Sequence, residues 1–126
     1  MPEFPKTERL CSQKIIDSLF AKGDKFISFP FSIRFMLCES EKDGADVLFS
    51  VPKRFIKKAV ARNRIKRLLR EAYRLQKDDF IKSLNLVNQR LHISITLIAQ
   101  EEFTFEQMQG IIKDIFSKLY VRLQPK

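Results

Sequence analysis

The sequence is poor in glycine, cysteine, histidine and tryptophan, and these shortages exclude several kinds of site. Its three glycines, Gly23, Gly44 and Gly110, stand far apart, so the chain has no glycine-rich phosphate loop and no dinucleotide-binding fingerprint. Two cysteines and one histidine are too few for a conventional structural zinc site or for a disulfide-stapled secreted scaffold. No stretch approaches the roughly 18 apolar residues that a membrane span requires.

Length and composition predict one folded domain. The chain has 126 residues, of which 44% are hydrophobic, so it can bury a core, and we expect a single domain over residues 1–126. Residues 1–10 contain two prolines and two acids but no apolar run, and we expect an irregular N-terminal arm there rather than a targeting segment. These features favour a cytoplasmic protein that does not contact membranes.

Positive charge is concentrated in one segment. The chain has 24 Lys and Arg against 15 Asp and Glu, a formal net charge of +9, and residues 53–74 account for the whole excess. Solvated faces normally mix the two signs, whereas Glu71 is the only acid in this segment, so the segment on a neutral scaffold indicates a site for a polyanion. Its basic residues are Lys53, Arg54, Lys57, Lys58, Arg62, Arg64, Lys66, Arg67, Arg70 and Arg74.

Hydrophobic periodicity predicts an α+β fold in the order helix, three strands, helix, strand, helix. A first helix is predicted between a cap at Ser12 and a stop at Lys22 and Gly23, and further helices at 58–77 and 105–121. The strands are predicted at 25–29, 31–38, 47–52 and 91–99. Residues 39–46 are expected to form a polar turn around Asp43 and Gly44. A capping box from Thr104 to Gln107 predicts the start of the last helix.

The helix predicted at 58–77 has one cationic side and one apolar side. At about 100° per residue, an arc of roughly 140° collects cations and one amide, namely Arg62, Asn63, Lys66, Arg67, Arg70 and Arg74. The opposite side, which is expected to face the sheet, carries Ala61, Ile65, Leu68, Leu69, Ala72 and Leu75. Arginine forks match phosphate oxygens, which favours nucleic acid, whereas a merely solvated face and a helix lying on an anionic membrane are the alternatives.

Catalytic signals are weak in this sequence. His92 is expected on the last strand as a surface or hydrogen-bonded residue, with a catalytic role as the alternative. Asp78 and Asp79 are either acids at a helix end or a metal-binding pair. Because no acid/base dyad or activated nucleophile is evident, we expect no catalytic residue and no metal ligand among the chain's own side chains.

Residues 59–74, which read AVARNRIKRLLREAYR, closely resemble the signature of the protein subunit of bacterial ribonuclease P. Weaker similarity extends to residues 16–20 with Gly23, to 48–51 and to 97–99. The resemblance implies a mixed four-stranded sheet with a left-handed βαβ crossover. It also implies a protein monomer in a 1:1 complex with a catalytic RNA, which removes the 5′ leader of precursor tRNA. The catalytic Mg²⁺ is then held mainly by the RNA.

The same resemblance implies roles for individual residues. Arg62, Asn63, Arg64, Lys66, Arg67 and Arg70 match the RNA-binding motif, and Lys53, Arg54 and Arg74 extend that basic surface. A cleft for the leader is expected to contain Ile16, Phe20, Arg34 and Ser50. Arg34 and Ser50 would lie on one face of neighbouring strands, and Phe20 would line the cleft unless it lies in the core. Ile16 and Arg34 depart from the pattern, because relatives commonly carry aromatic residues at both positions.

Two other classes of protein share part of this pattern. A ribosomal or ribosome-associated RNA-binding protein would have the same charge without any role in an enzyme. A helix-turn-helix DNA-binding protein would need a helix packed just before the basic one, whereas residues 47–52 predict a strand there.

Overall fold

The computed structural model describes residues 13–124, which form three helices and a four-stranded sheet in the predicted order. The elements are α1 (Gln13–Lys22), β1 (Asp24–Ser28), β2 (Phe31–Glu39), β3 (Gly44–Ser50), α2 (Ala59–Leu84), β4 (Gln89–Leu97) and α3 (Phe105–Leu123). The arm predicted at 1–10 lies outside the described residues. No helix within 13–124 is long and apolar enough to cross a membrane.

The sheet is mixed, as expected, with strand order β1-β2-β4-β3. β2 is antiparallel to both β1 and β4, whereas β3 runs parallel to β4. Parallel neighbours cannot be joined by a hairpin, and α2 provides the crossover connection between them. The expectation that Arg34 and Ser50 lie on neighbouring strands is therefore wrong, because β4 is inserted between β2 and β3. The left hand of the crossover stays a prediction.

One face of the sheet forms the hydrophobic core. Alternate residues of every strand are buried on this face, which α2 and α3 cover. Tyr73 of α2 packs its ring edgewise against Phe49 of β3 and Phe116 of α3, and Phe80 stacks on Phe116 at a centroid distance of 4.2 Å. These contacts hold the apolar side of α2 inward, so its cationic side faces solvent.

Among the described residues 13–124, α1 covers part of the opposite face of the sheet. This helix contacts β2 and β4, and its Leu19 side chain is fully buried. A Cβ atom on Gly23 would lie 2.4 Å from the carbonyl oxygen of Leu19. Only glycine therefore allows the chain to turn this tightly from α1 into β1.

Strand β3 begins at Gly44, three residues earlier than predicted, and ends at Ser50 rather than at Pro52. Asp46 looked like a turn residue, but it is buried in the strand and pairs with His92 of β4. Arg90 makes this burial tolerable, because its Nε donates to Asp46 Oδ2 at 2.7 Å and its Nη2 donates to Oδ1 at 2.9 Å. Strand β4 correspondingly occupies Gln89–Leu97 rather than 91–99.

Helix α2 continues to Leu84, seven residues beyond its predicted end. Buried Phe80 extends its contact with the core, and Asn85 ends the helix in a left-handed conformation with φ of 51°. Asp78 and Asp79 are thus exposed residues within the helix and not acids at its end. Leu75, expected to face the sheet, is half exposed beside α3.

Helix α3 begins as the sequence predicts. Thr104 Oγ1 accepts the Gln107 amide hydrogen at 3.1 Å, and the Gln107 side chain accepts the Thr104 amide hydrogen at 2.9 Å. The capping box is therefore confirmed.

Candidate nucleic-acid interface

The cationic side of α2 forms a continuous outer surface, called here the basic arc. Its members are Asn63, Lys66, Arg67, Arg70 and Arg74. Asn63, Arg67 and Arg70 are exposed, and Lys66 and Arg74 are half-buried. Arg64 is also exposed, but it lies on the flank of the helix. The placement follows from the sequence, because the buried residues of α2 project from the opposite side.

Arg62 belongs to the same helix but contacts the protein itself. Its Nη1 donates to the carbonyl oxygen of Ile56 at 3.0 Å and to that of Lys57 at 2.7 Å. The side chain is half-buried and fastens the end of the 51–58 loop to the first turn of α2. The helical period placed Arg62 among the cations of the arc that was expected to bind RNA. In the structure, its hydrogen bonds go to backbone carbonyl oxygens instead.

Two further cations of the segment have intramolecular partners. Arg74 donates through Nε to Glu71 Oε2 at 3.3 Å and makes a second contact through Nη2. These hydrogen bonds hold the pKa of Glu71 below its usual range. The Arg54 guanidinium lies 4.7 Å from the centroid of the Phe55 ring, while Lys53 is exposed. The strongest unbalanced charge of the arc therefore lies around Lys66 and Arg67.

Within residues 13–124, the sheet face on which α1 packs keeps a set of half-buried side chains that α1 does not cover completely. Strand register places Arg34, Ser94 and Leu48 in one row across β2, β4 and β3, and places Ser32, Thr96 and Ser50 in the next row. Arg34 and Ser50 therefore share a face, as expected, but their strands are about 10 Å apart. We call this surface the α1 groove; it comprises Ile16, Phe20, Ser32, Arg34, Ser50 and Thr96.

Phe20 and Arg34 meet at one end of the α1 groove. Phe20 is 44% exposed, so it is not a core residue. The Cζ atom of Arg34 lies 4.9 Å from the centroid of the Phe20 ring, and its Nη1 donates to the Phe20 carbonyl oxygen at 3.2 Å. Ile16, one helical turn before Phe20, is half-buried. A cation–π pair thus stands where an aromatic cleft was expected.

The floor of the α1 groove carries hydroxyl groups. Ser32, Thr96 and Ser50 are each half-buried and lie side by side on three adjacent strands. Sequence reasoning selected only Ser50. Alternation had already placed Ser32 on the face of Arg34 and Thr96 on the face of His92, but the row could not be assembled without the order of the strands.

The groove and the basic arc are consecutive along the chain. Ser50 ends β3, and the loop 51–58, which carries Lys53 and Arg54, leads directly to the first turn of α2. Arg62 hydrogen-bonds to the end of this loop, and this contact helps to fix the position of the α1 groove relative to the basic arc.

The remaining candidate residues lie away from these surfaces or in structural contacts. His92 is buried, and its Nδ1 lies 3.3 Å from Asp46 Oδ2. Asp78 and Asp79 are both exposed. Within residues 13–124, no group of three or more His, Cys, Asp or Glu side chains is arranged to hold a metal ion.

The fold and these surfaces define a small α+β domain that places a cationic helix beside a partly open sheet groove. The chain belongs to the ribonuclease P family, because the family model described as Ribonuclease P matches residues 4–120. Its basic helix follows strand β3 directly, so the helix-turn-helix alternative is wrong. The resemblance read from residues 59–74 is confirmed, and a ribosomal protein is not favoured.

Curated relatives agree with this assignment. A ribonuclease P protein component of Porphyromonas gingivalis is 40% identical over 73 residues, which cover 57% of this chain and 53% of that protein. The protein component of Finegoldia magna is 30% identical over 113 residues, covering 90% of this chain and 91% of its own length. The match thus spans about half the length of the Porphyromonas protein but most of the Finegoldia protein.

The fold is similar to that of two solved proteins. The RNase P protein of Staphylococcus aureus superposes with a TM-score of 0.67 at 21% identity, covering 90% of this chain and 96% of that one. The RNase P protein of Thermotoga maritima gives 0.64 at 19% identity, covering 88% of this chain and 96% of that one.

Proposed function

We propose that this chain is the protein subunit of a ribonuclease P. In this role it binds a catalytic RNA and the 5′ leader of precursor tRNA, and assists the endonucleolytic cut that produces the mature tRNA 5′ end. The observation that carries the proposal is that one small domain of this family has both the basic arc and the α1 groove. The basic arc suits the phosphates of a structured RNA, and the α1 groove suits an unpaired strand.

The basic arc suits the structured RNA. Phosphate oxygens bound by Arg67 and Lys66 would release condensed counterions, which drives association at low salt. Guanidinium forks can bind two oxygens of one phosphate, and Asn63 adds an amide able to read a base edge or a ribose hydroxyl. Arg62 contributes differently, since it fixes the loop that carries Lys53 and Arg54.

The α1 groove suits the leader. Unpaired nucleotides bind where a stacking surface lies beside positive charge, and Phe20 with Arg34 provides both. The hydroxyls of Ser32, Thr96 and Ser50 can donate to phosphate or ribose oxygens along the floor. The leader would then enter near Ser50, next to the loop 51–58, and pass towards Phe20.

The cut itself belongs to the RNA in this proposal. Mg²⁺, bound mainly by the RNA subunit, would supply the Lewis-acid chemistry at the scissile phosphate. The protein binds and positions the substrate, and no side chain of this chain acts as a catalytic residue. We further propose a cytoplasmic location and one protein monomer per RNA.

Reconstitution tests the proposal. The purified chain is mixed with the ribonuclease P RNA of its own organism and a precursor tRNA, and cleavage at the mature 5′ end is measured at fixed Mg²⁺. We expect no cleavage by the protein alone and faster cleavage by the complex than by the RNA alone. Light scattering of the complex should give one protein per RNA. Cleavage by the protein alone would contradict the assignment of chemistry to the RNA, and copurification with ribosomal RNA without any effect on cleavage would favour the ribosomal alternative.

A further inference from the structure

Arg34 is held in a defined orientation by Phe20. The ring of Phe20 lies under the guanidinium at 4.9 Å from Cζ, and the carbonyl oxygen of the same residue accepts from Nη1 at 3.2 Å. Two contacts to one residue fix both the position and the plane of the guanidinium. A flexible surface arginine would have neither constraint.

This arrangement leaves a recognition edge on Arg34. A guanidinium has five N–H donors, and the contact with Phe20 uses one of those on Nη1. Within residues 13–124, no other hydrogen-bond acceptor or carboxylate contacts Arg34 in this structure. The Nε and Nη2 hydrogens therefore remain as a fork of two parallel donors.

The surroundings of this fork suit a base. Ile27 shares the face of Arg34 on the adjacent strand β1 and is 56% exposed, so it offers apolar surface beside the guanidinium. Ser32 on the same face is neutral. Lys25, which pairs directly with Arg34, is exposed and can take the phosphate of the same nucleotide.

We propose that Arg34 reads a guanine in the leader, with its fork donating to O6 and N7 of the base. Guanine presents two acceptors at that spacing, whereas adenine places an amino donor opposite one arm of the fork. Uracil carries an N–H donor between its two carbonyl oxygens, and cytosine has adjacent acceptors only at O2 and N3 of its Watson–Crick edge, so cytosine is the competing base that the test has to include. The inference rests on the proposed function, because it assumes that the leader lies in the α1 groove, and it makes Arg34 a specificity-determining residue.

The test uses the reconstituted complex and a set of precursor tRNAs. Each leader position in turn carries guanine, adenine, cytosine or uracil, and the dissociation constant is measured for the wild type, Arg34→Lys, Arg34→Ala and Lys25→Ala. At one position, guanine should bind about tenfold more tightly than adenine to the wild type. Arg34→Lys keeps the charge but loses the fork, so this preference should disappear. Lys25→Ala should weaken all four leaders alike and keep the preference.

The possible outcomes separate the inference from the function on which it rests. A wild type without base preference, or a guanine preference that survives in Arg34→Lys, would overturn the inference. Equal binding of all four leaders by the wild type and by Arg34→Lys, with a loss in Arg34→Ala that grows at low salt, would identify a phosphate contact instead. A precursor without a leader is the control: if it binds as well as a long-leader precursor, the placement of the leader in the groove fails. Thermal melting of Arg34→Lys checks that α1 stays docked.

Discussion

Arg62 donates from Nη1 to the carbonyl oxygen of Lys57 at 2.7 Å, across the junction between the loop 51–58 and helix α2. The same atom contacts the carbonyl oxygen of Ile56. These carbonyls lie just before the first turn of α2, where Lys58 occupies the N-cap without a side-chain hydrogen bond. Arg62 therefore connects loop and helix, and its charge is turned towards the protein.

We expect Arg62→Ala to act through the loop. RNA affinity should fall because residues 53–58 lose their attachment, while the slope of log K against log salt should change by less than one unit. Amide exchange in the loop should become faster. A full unit lost from the slope, with unchanged exchange, would show instead that Arg62 neutralises a phosphate.

Arg67 is the contrasting case, because it is exposed on the basic arc. Arg67→Ala should lower the salt slope by about one unit if the side chain neutralises one phosphate. Lys82→Ala is the matched control, since Lys82 is exposed on the same helix but roughly 22 Å further along its axis. Equal slopes for both variants and the wild type would show that the arc is only a solvated face.

Phe20→Ala tests the α1 groove. Binding of a precursor tRNA with a long leader should weaken by roughly 1–3 kcal/mol, the contribution of one base stacked on an aromatic ring. A precursor with almost no leader should be little affected. Because Phe20 is 44% exposed, the melting temperature should change little. Equal losses on both substrates, together with a lower melting temperature, would indicate a structural role, and Val121→Ala, an exposed apolar residue on α3, serves as the control.

Local signals in the sequence were sufficient for much of this fold. The capping box at Thr104 and Gln107, the alternation in β2 and the two-sided pattern of α2 each depend on neighbours in sequence, and each was confirmed. The position of the basic arc followed from the helical period alone.

Features that depend on long-range contacts could not be predicted in this way. The insertion of β4 between β2 and β3 depends on strand pairing, which no local pattern specifies. Asp46 looked like a turn residue because its partner Arg90 is 44 residues away in sequence. The helical period gave the correct angle for Arg62 on α2. It could not show that the side chain binds carbonyl oxygens of the preceding loop, because those atoms lie outside the helix.

Two glycines should respond in opposite directions to the same substitution. Gly44 has φ of 136°, and a Cβ atom there would lie 3.1 Å from Nη1 of Arg90, so Gly44→Ala should destabilise the protein by about 1–3 kcal/mol. Gly110 lies in α3 with no atom near its absent Cβ, so Gly110→Ala should stabilise the protein by about 0.5–1 kcal/mol. Denaturant unfolding measures both changes. Effects of the same sign would contradict the backbone conformations described here.

Asp46 should make the stability of the protein depend on acid pH. Burial by itself raises the pKa of Asp46, but the adjacent His92 and the hydrogen bonds and charge of Arg90 together lower it by more, so the net pKa lies below its ordinary value. A carboxyl whose pKa is lower in the folded state binds protons more weakly there than in the unfolded chain. Its contribution to stability is therefore complete above the unfolded pKa, about 3.9, and is lost as the pH falls through the folded pKa.

The measurement is the free energy of unfolding from neutral pH down to about pH 2, a range that brackets the unfolded pKa of an aspartate. The wild type should lose stability in the acid part of this range. Asp46→Asn should be less stable at neutral pH, because Arg90 then lies half-buried without its carboxylate partner, and should show a smaller further loss in acid. Asp114→Asn is the control, since Asp114 is exposed on α3 and has no part in the Asp46 cluster. If Asp46→Asn kept the acid dependence of the wild type, the pairing of Asp46 with Arg90 and His92 would not be its source.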